Sequence, residues 1–227
     1  MVMILLLGDI HGDYKVLERA IKVAEENGAV AVIQVGDFGL FNKYGMANES
    51  HFYKVMSSSK VPVYWIDGNH DDCDRWTKYT EIYKVWSDTD FFYVPRGTVM
   101  ELDGRTIAFM GGAASIDMKW RLREGAFWTE KENISNEEIT RLLDNTNGKK
   151  IDMFITHCPP NSVINRHFNP MDKLFFNVGI EWTDQNGLVV EDLWNKLGNP
   201  MIYSGHMHRT VQGDNYRILD INEALAV

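Results

Sequence analysis

Five of the chain's seven histidines, His11, His70, His157, His206 and His208, fall just after short apolar runs. Asp9, Asp37 and Asn69 occupy similar positions. One such histidine reads as a hydrogen-bonded loop residue, but five together with three oxygen donors form a recurring pattern. Two aspartates, an asparagine and four histidines suffice to hold two divalent ions if one carboxylate bridges them. No cysteine joins the set, which argues against a closed structural zinc site and for open, hydrolytic chemistry. Two ions held roughly 3.5–4 Å apart lower the pKa of a bound water and polarise a substrate's oxygens.

These side chains meet only if their strands end on one edge of a sheet. The run Val2 to Leu7 reads as a strand buried on both faces, ending at Gly8-Asp9-Ile10-His11-Gly12-Asp13. Helical spacing follows from Tyr14 to Asn27, with Val16, Leu17, Ala20, Ile21 and Ala24 on one face. A second strand, Val30 to Val35, ends at Gly36-Asp37-Phe38-Gly39. A helix is expected over 47–58, with Phe52, Val55 and Met56 on one face. A third strand, Val61 to Ile66, ends at Asp67-Gly68-Asn69-His70-Asp71. This β-α-β-α-β rhythm predicts a parallel sheet with its ligands at the carboxyl ends of the strands.

The middle of the chain changes character. Phe91 to Val94, Thr98 to Leu102 and Arg105 to Met110, the last two joined by Asp103-Gly104, predict a second, partly antiparallel sheet. The insert at 113–134 has no clear period, and Ser135 to Glu138 forms a capping box. Ile151 to Thr156 leads into His157-Cys158-Pro159-Pro160 and a long loop over 158–186. A helix from Leu188 to Leu197 is bounded by Gly187 and Gly198. Met201 to Ser204 delivers Gly205-His206-Met207-His208, and Asp214-Asn215 turns a final hairpin into Tyr216 to Ile221.

A chain of 227 residues with no evident linker reads as one domain over 1–227. Its formal charge of -9 argues against extended nucleic-acid binding. Cys73 and Cys158 form no C-x-x-C pair, which points to a reducing, cytoplasmic setting. The first apolar run lacks a basic flank and a cleavage site, so it reads as a strand and not a signal peptide. No apolar run has the length to span a bilayer, so no membrane partner is expected.

Gly8-Asp9-Ile10-His11, Gly36-Asp37, Gly68-Asn69-His70-Asp71, Thr156-His157 and Gly205-His206-Met207-His208 resemble, in order, the five motifs of the calcineurin-like metallophosphoesterases. The resemblance implies a layered α/β/β/α sandwich, an α/β fold of two mixed sheets flanked by helices. It implies that Asp9, His11 and His208 hold one metal, that Asn69, His157 and His206 hold the other, and that Asp37 bridges them. Manganese is the expected metal, with iron, zinc or nickel as alternatives. His70 is implied to be a proton donor to the leaving group, not a ligand, with Asp71 holding its other nitrogen. The reaction implied is hydrolysis of a small phosphate ester by in-line attack of a metal-bridging hydroxide.

One departure bears on the substrate. Protein phosphatases of that superfamily follow the bridging aspartate with Asp-Arg-Gly, whereas here Phe38, Gly39, Leu40, Phe41 and Asn42 follow Asp37. The third motif ends in Asp71, where those enzymes have glutamate. Both differences favour phosphodiesters. A phosphomonoesterase or protein phosphatase is the alternative, then a nuclease, and last a metal-free scaffold of the same fold. Arg121 and Arg123 in the insert are candidate substrate-binding residues, against the alternative of a solvated basic loop anchored by Trp128. Asp117 is placed to pair with one of them. His51 and His167 read as ordinary histidines, Cys158 as a small buried residue, and the aromatics from Trp86 to Tyr93 as core.

Overall fold

Strand β1 (Met3–Leu7) serves two cores at once, because successive side chains of a strand face opposite ways. Leu5 and Leu7 join a core with helix α1 (Tyr14–Glu26), while Ile4 and Leu6 join a second core on the other face. The computed structural model describes residues 3–40, 49–168 and 182–227. The sequence readings for Val2, for Phe41 and Asn42, for the start of the 47–58 helix and for 169–181 of the long loop lie outside these residues.

The first sheet continues through β2 (Ala29–Gln34), α2 (Glu49–Ser58), β3 (Val63–Trp65), a short α3 (Cys73–Trp76), β4 (Tyr83–Lys84) and β5 (Phe91–Tyr93). Here the sequence reading needs correction. β5 was expected in the second sheet, yet it pairs in parallel with β3 through Val63↔Phe91 and Trp65↔Tyr93. Its buried Phe91 and Tyr93 pack with Trp65 and Phe38, so the aromatic cluster is core, as expected.

The second sheet begins with the expected hairpin of β6 (Val99–Leu102) and β7 (Arg105–Met110). The insert is not irregular throughout. It contains helix α4 (Met118–Arg123) and a 3₁₀ turn, Glu130–Glu132. Helix α5 (Asn136–Thr146) carries the predicted capping box of Ser135 and Glu138. After β8 (Met153–Thr156) comes α6 (Asn161–His167), inside the stretch expected to be a loop. Helix α7 (Gln185–Lys196) starts earlier than expected, because the Asp184 carboxylate caps it by accepting from the Asn186 amide; Gly187 lies within it. Strands β9 (Met201–Ser204), β10 (Val211–Gln212), β11 (Tyr216–Ile218) and β12 (Ala224–Ala226) complete the fold.

The described strands form two six-stranded mixed sheets, ordered β12-β1-β2-β3-β5-β4 and β10-β11-β9-β8-β7-β6. In each, four central parallel strands are flanked by antiparallel edges. Ile4, Ile33, Phe109, Ile155 and Tyr203 fill the layer between the sheets. Helices α1 and α2 cover one outer face, and α5 and α7 the other. This is the expected α/β/β/α layering. It sends the loops after β1, β2, β3, β8 and β9 to one edge.

Candidate active site

At that edge Asp9, His11, Asp37 and His208 converge, with one donor atom from each within 4.8 Å of the others. The Nε2 atoms of His11 and His208 lie 3.1 Å apart, and His208 Nε2 is 3.3 Å from Asp9 Oδ2. Asp37 Oδ2 is buried, 3.9 Å from His11 Nε2, and accepts no hydrogen bond. An unsatisfied buried carboxylate oxygen is costly without a cation. That orphan atom, facing two imidazole nitrogens, fits a divalent ion with nitrogen and oxygen ligands.

A second group shares Asp37. The Nδ1–H of His157 donates to the Val35 carbonyl at 2.9 Å, which turns its Nε2 towards Asp37 Oδ1 at 3.4 Å and Asn69 Oδ1 at 3.3 Å. Fixing one imidazole nitrogen on a carbonyl frees the other for a metal. The His206 ring lies 5.1 Å from that of His157, and its Nε2 is 3.3 Å from Asp184 Oδ2. Asn69 Nδ2 donates to Ser115 Oγ at 3.2 Å, and the Ser115 hydroxyl donates to Glu132 at 2.6 Å. This relay decides which end of the Asn69 amide faces the site: the oxygen.

The charges are mutually dependent. Burial would raise the Asp37 pKa, but His157, His70 and His11 hold it well below the usual carboxylate range. Burial would lower that of His157, yet the Asp37 carboxylate lifts it to about 10. A hydrogen bond with Asp9 raises that of His208. Burial pushes His70 down to about 4, with Arg121 acting the same way against Asp37.

The backbone is strained where these groups meet. His11, Asp37, His206 and His208 have φ of 44°, 55°, 68° and 48°, a region costly for residues with a Cβ. Two glycines allow the close approach. A methyl at Gly68 would overlap Asp37 Oδ1 and the His157 ring, and one at Gly205 would overlap Asp9 Oδ1.

His70 and Asp71 stand differently from the expectation. The Asp71 carboxylate does not hold His70; it accepts from the backbone amides of Phe38, Gly39 and Gly68 at 3.2, 2.7 and 2.8 Å. It pins the loops after β2 and β3 together. The partner of His70 is Arg121, whose Nη2 lies 2.9 Å from His70 Nε2. Arg121 is 1% exposed, donates to the Asn69 carbonyl at 3.2 Å and, as anticipated, pairs with Asp117 at 2.8 Å. Arg123, by contrast, has a side chain 72% exposed and paired with Glu124, so the structure does not bring it to the site. Sequence reasoning missed Ser115, Glu132 and Asp184. Only Asp184 left a signal, as an aspartate three residues ahead of a glycine-containing helix start. His167 bonds Tyr216 at 2.8 Å and His51 stacks on Tyr14, both outside the ligand groups.

The family model for calcineurin-like phosphoesterases matches residues 2–210. The chain belongs to this family. As a calcineurin-like phosphoesterase it is a metal-dependent hydrolase of phosphate esters, and its Asp and His cluster is suited to metal ions. Among solved structures it resembles TT1561 of Thermus thermophilus, with a TM-score of 0.58 and 17% identity over 97% of this chain and 90% of that one. It also resembles a dimetal phosphatase from Danio rerio, with a TM-score of 0.54 and 12% identity over 97% and 88% of the two chains. At these identities the likeness is one of fold. No curated protein matches the sequence. Among the described residues, no helix of this phosphoesterase is long and apolar enough to cross a membrane.

Proposed function

We propose that this phosphoesterase uses two divalent ions, manganese first among the candidates, to hydrolyse small phosphodiesters in the cytoplasm. Asp9, His11 and His208 would hold one ion, and Asn69, His157 and His206 the other, with Asp37 between them. Bound there, such ions supply Lewis acidity and an activated water. His70, kept neutral by burial, donates a hydrogen bond to the leaving oxygen as negative charge develops there. Arg121 orients that imidazole, and Asp71 holds the two loops that carry Asp37 and His70. The cytoplasmic reading rests on two buried cysteines that form no disulfide.

The commitment of Arg121 carries the choice of diesters. A phosphomonoester is mostly dianionic at neutral pH, and the second charge calls for a guanidinium fork that can grip two phosphoryl oxygens. Arg121 stands close enough to serve, but its charge is matched by Asp117 and its donors face Asn69 and His70. The site is therefore suited to a monoanion. Bis-(4-nitrophenyl) phosphate and 4-nitrophenyl phosphate, compared with Mn²⁺ and with a chelator, test this reading. A higher kcat/KM for the diester supports it. A monoester preference that disappears in Arg121→Ala would make Arg121 the phosphate clamp and reverse the substrate class.

A further inference from the structure

A cavity of about 340 Å³ opens over the ligand groups and extends away from them. Asp37, Asn69, His206 and His208 line it on the side of the metal ligands, with His70, Asp117 and Asp184 beside them, while Ile116, Ile164, Phe168, Trp182 and Met207 form an apolar side. These five come from the insert, from α6 and its end, from the approach to α7 and from the loop after β9. Arg209 sits at the cavity's edge, its guanidinium 5.1 Å from the Phe168 ring centre and its Nη1 donating to the His167 carbonyl.

A phosphoryl group has no use for such walls, since an anion is poorly placed against apolar surface. An apolar recess leading from a polar reaction centre suits the uncharged body of an ester. The volume is at the small end of ligand cavities and is shared with the phosphoryl group on the ligand side, which leaves room for no more than one or two rings. Two of the five apolar residues, Phe168 and Trp182, are aromatic, and aromatic side chains pair with an aromatic occupant beyond what buried area alone gives. His70, the residue proposed above to serve the leaving oxygen, lines this cavity. We infer that this cavity is a subsite for the leaving group, and that the preferred substrates are esters of planar aromatic alcohols of one or two rings. The inference rests on the hydrolase reading above. In the reaction water gives its oxygen to phosphorus, the bond from phosphorus to the aryl oxygen breaks, and the alcohol departs with a proton.

The test needs no turnover. Mn²⁺-loaded protein is titrated calorimetrically with the O-methyl esters of 2-naphthylmethylphosphonate, cyclohexylmethylphosphonate and ethylphosphonate. All three are monoanions whose carbon-linked group cannot be hydrolysed away. The naphthyl compound should bind roughly 10- to 100-fold more tightly than the ethyl one, the worth of burying one apolar group. Trp182→Ala and Ile116→Asn should each reduce that ratio. Equal affinity for naphthyl and ethyl, or no binding of either, overturns the subsite; cyclohexyl binding as tightly as naphthyl overturns the planar class. If the naphthyl preference holds but no phosphate ester is hydrolysed, the subsite stands and the proposed reaction fails.

Discussion

The Nη2 of Arg121, a residue of the insert, lies 2.9 Å from the Nε2 of His70, at the end of the third strand. The same Nη2 lies 3.3 Å from His70 Nδ1, and since a guanidinium only donates, the imidazole accepts from it. The same side chain holds the Asn69 carbonyl and Asp117, which locks it in place. Arg121→Ala should lower kcat by roughly 10–100-fold, the span for losing a residue that orients a functional group, with a smaller change in KM. Arg121→Lys should rescue little, because an ammonium cannot span three partners in one plane. Steady-state kinetics decide it, and an unchanged kcat in Arg121→Ala would make the contact incidental.

His70 accepts no place among the proposed ligands, although its amide donates to Asp37 Oδ1 at 2.8 Å. That bond belongs to the backbone and survives truncation of the side chain. His70→Ala should therefore keep its metal content, measured by plasma mass spectrometry, while the rate falls by roughly 10²–10³-fold. The loss should shrink for a nitrophenyl leaving group, which needs little help to depart. Metal loss in this variant would move His70 into the coordination shell.

Asp37 faces both ligand groups, Oδ1 towards His157 at 3.4 Å and Oδ2 towards His11 at 3.9 Å. Asp37→Ala should lose both ions, whereas His208→Ala should mainly weaken the first. Metal stoichiometry after gel filtration checks this; two tightly held ions in Asp37→Ala would exclude it as the bridge.

How much of this was legible in the sequence depends on what carried the signal. Asp9, His11 and Asn69 follow apolar runs whose length and order impose one parallel sheet, so strand ends place them together; His157 follows β8 of the second sheet and meets them only because the two sheets are stacked. Arg121 could be named as a candidate but not positioned, because the insert has no period to set its direction. Arg123, two residues later on the same short helix, points to solvent for the same reason that neighbours on a helix face different ways. Phe91 to Tyr93 went to the wrong sheet because a short buried strand does not announce its partner. Ser115 and Glu132 are separated by seventeen residues and act only through contact, which no local pattern encodes.

Beneath the site, Arg96 and Asp67 form a fully buried ion pair at 2.5 Å. Arg96 also donates to the carbonyls of Lys131, Glu132 and Asn133, so one guanidinium ties the third motif to the end of the insert. Arg96→Ala would leave the Asp67 carboxylate buried and without its cation, at a cost of about 3–5 kcal/mol. Urea unfolding should show a midpoint lowered by that free energy divided by the m value. A loss below about 1 kcal/mol would mean that water reaches the Asp67 carboxylate or that it takes up a proton when the arginine is gone.

The relay from Glu132 through Ser115 to Asn69 makes the most discriminating prediction, because it should affect one metal and spare the other. Ser115 Oγ accepts from Asn69 Nδ2 at 3.2 Å, and Trp128 Nε1 joins Ser115 in donating to Glu132. Without the hydroxyl, nothing in this contact distinguishes the two ends of the Asn69 amide, and its NH₂ can turn towards the site, where it repels a cation. Ser115→Ala should weaken one of two binding steps in a Mn²⁺ titration by roughly 10–100-fold, the usual cost of losing an outer partner of a ligand. Ser115→Thr keeps the hydroxyl and should restore most of the affinity. The step assigned to Asp9, His11 and His208 should stay where it was, since none of these touches Ser115. If both steps weaken equally, the insert is bracing the whole edge of the sheet and not orienting Asn69.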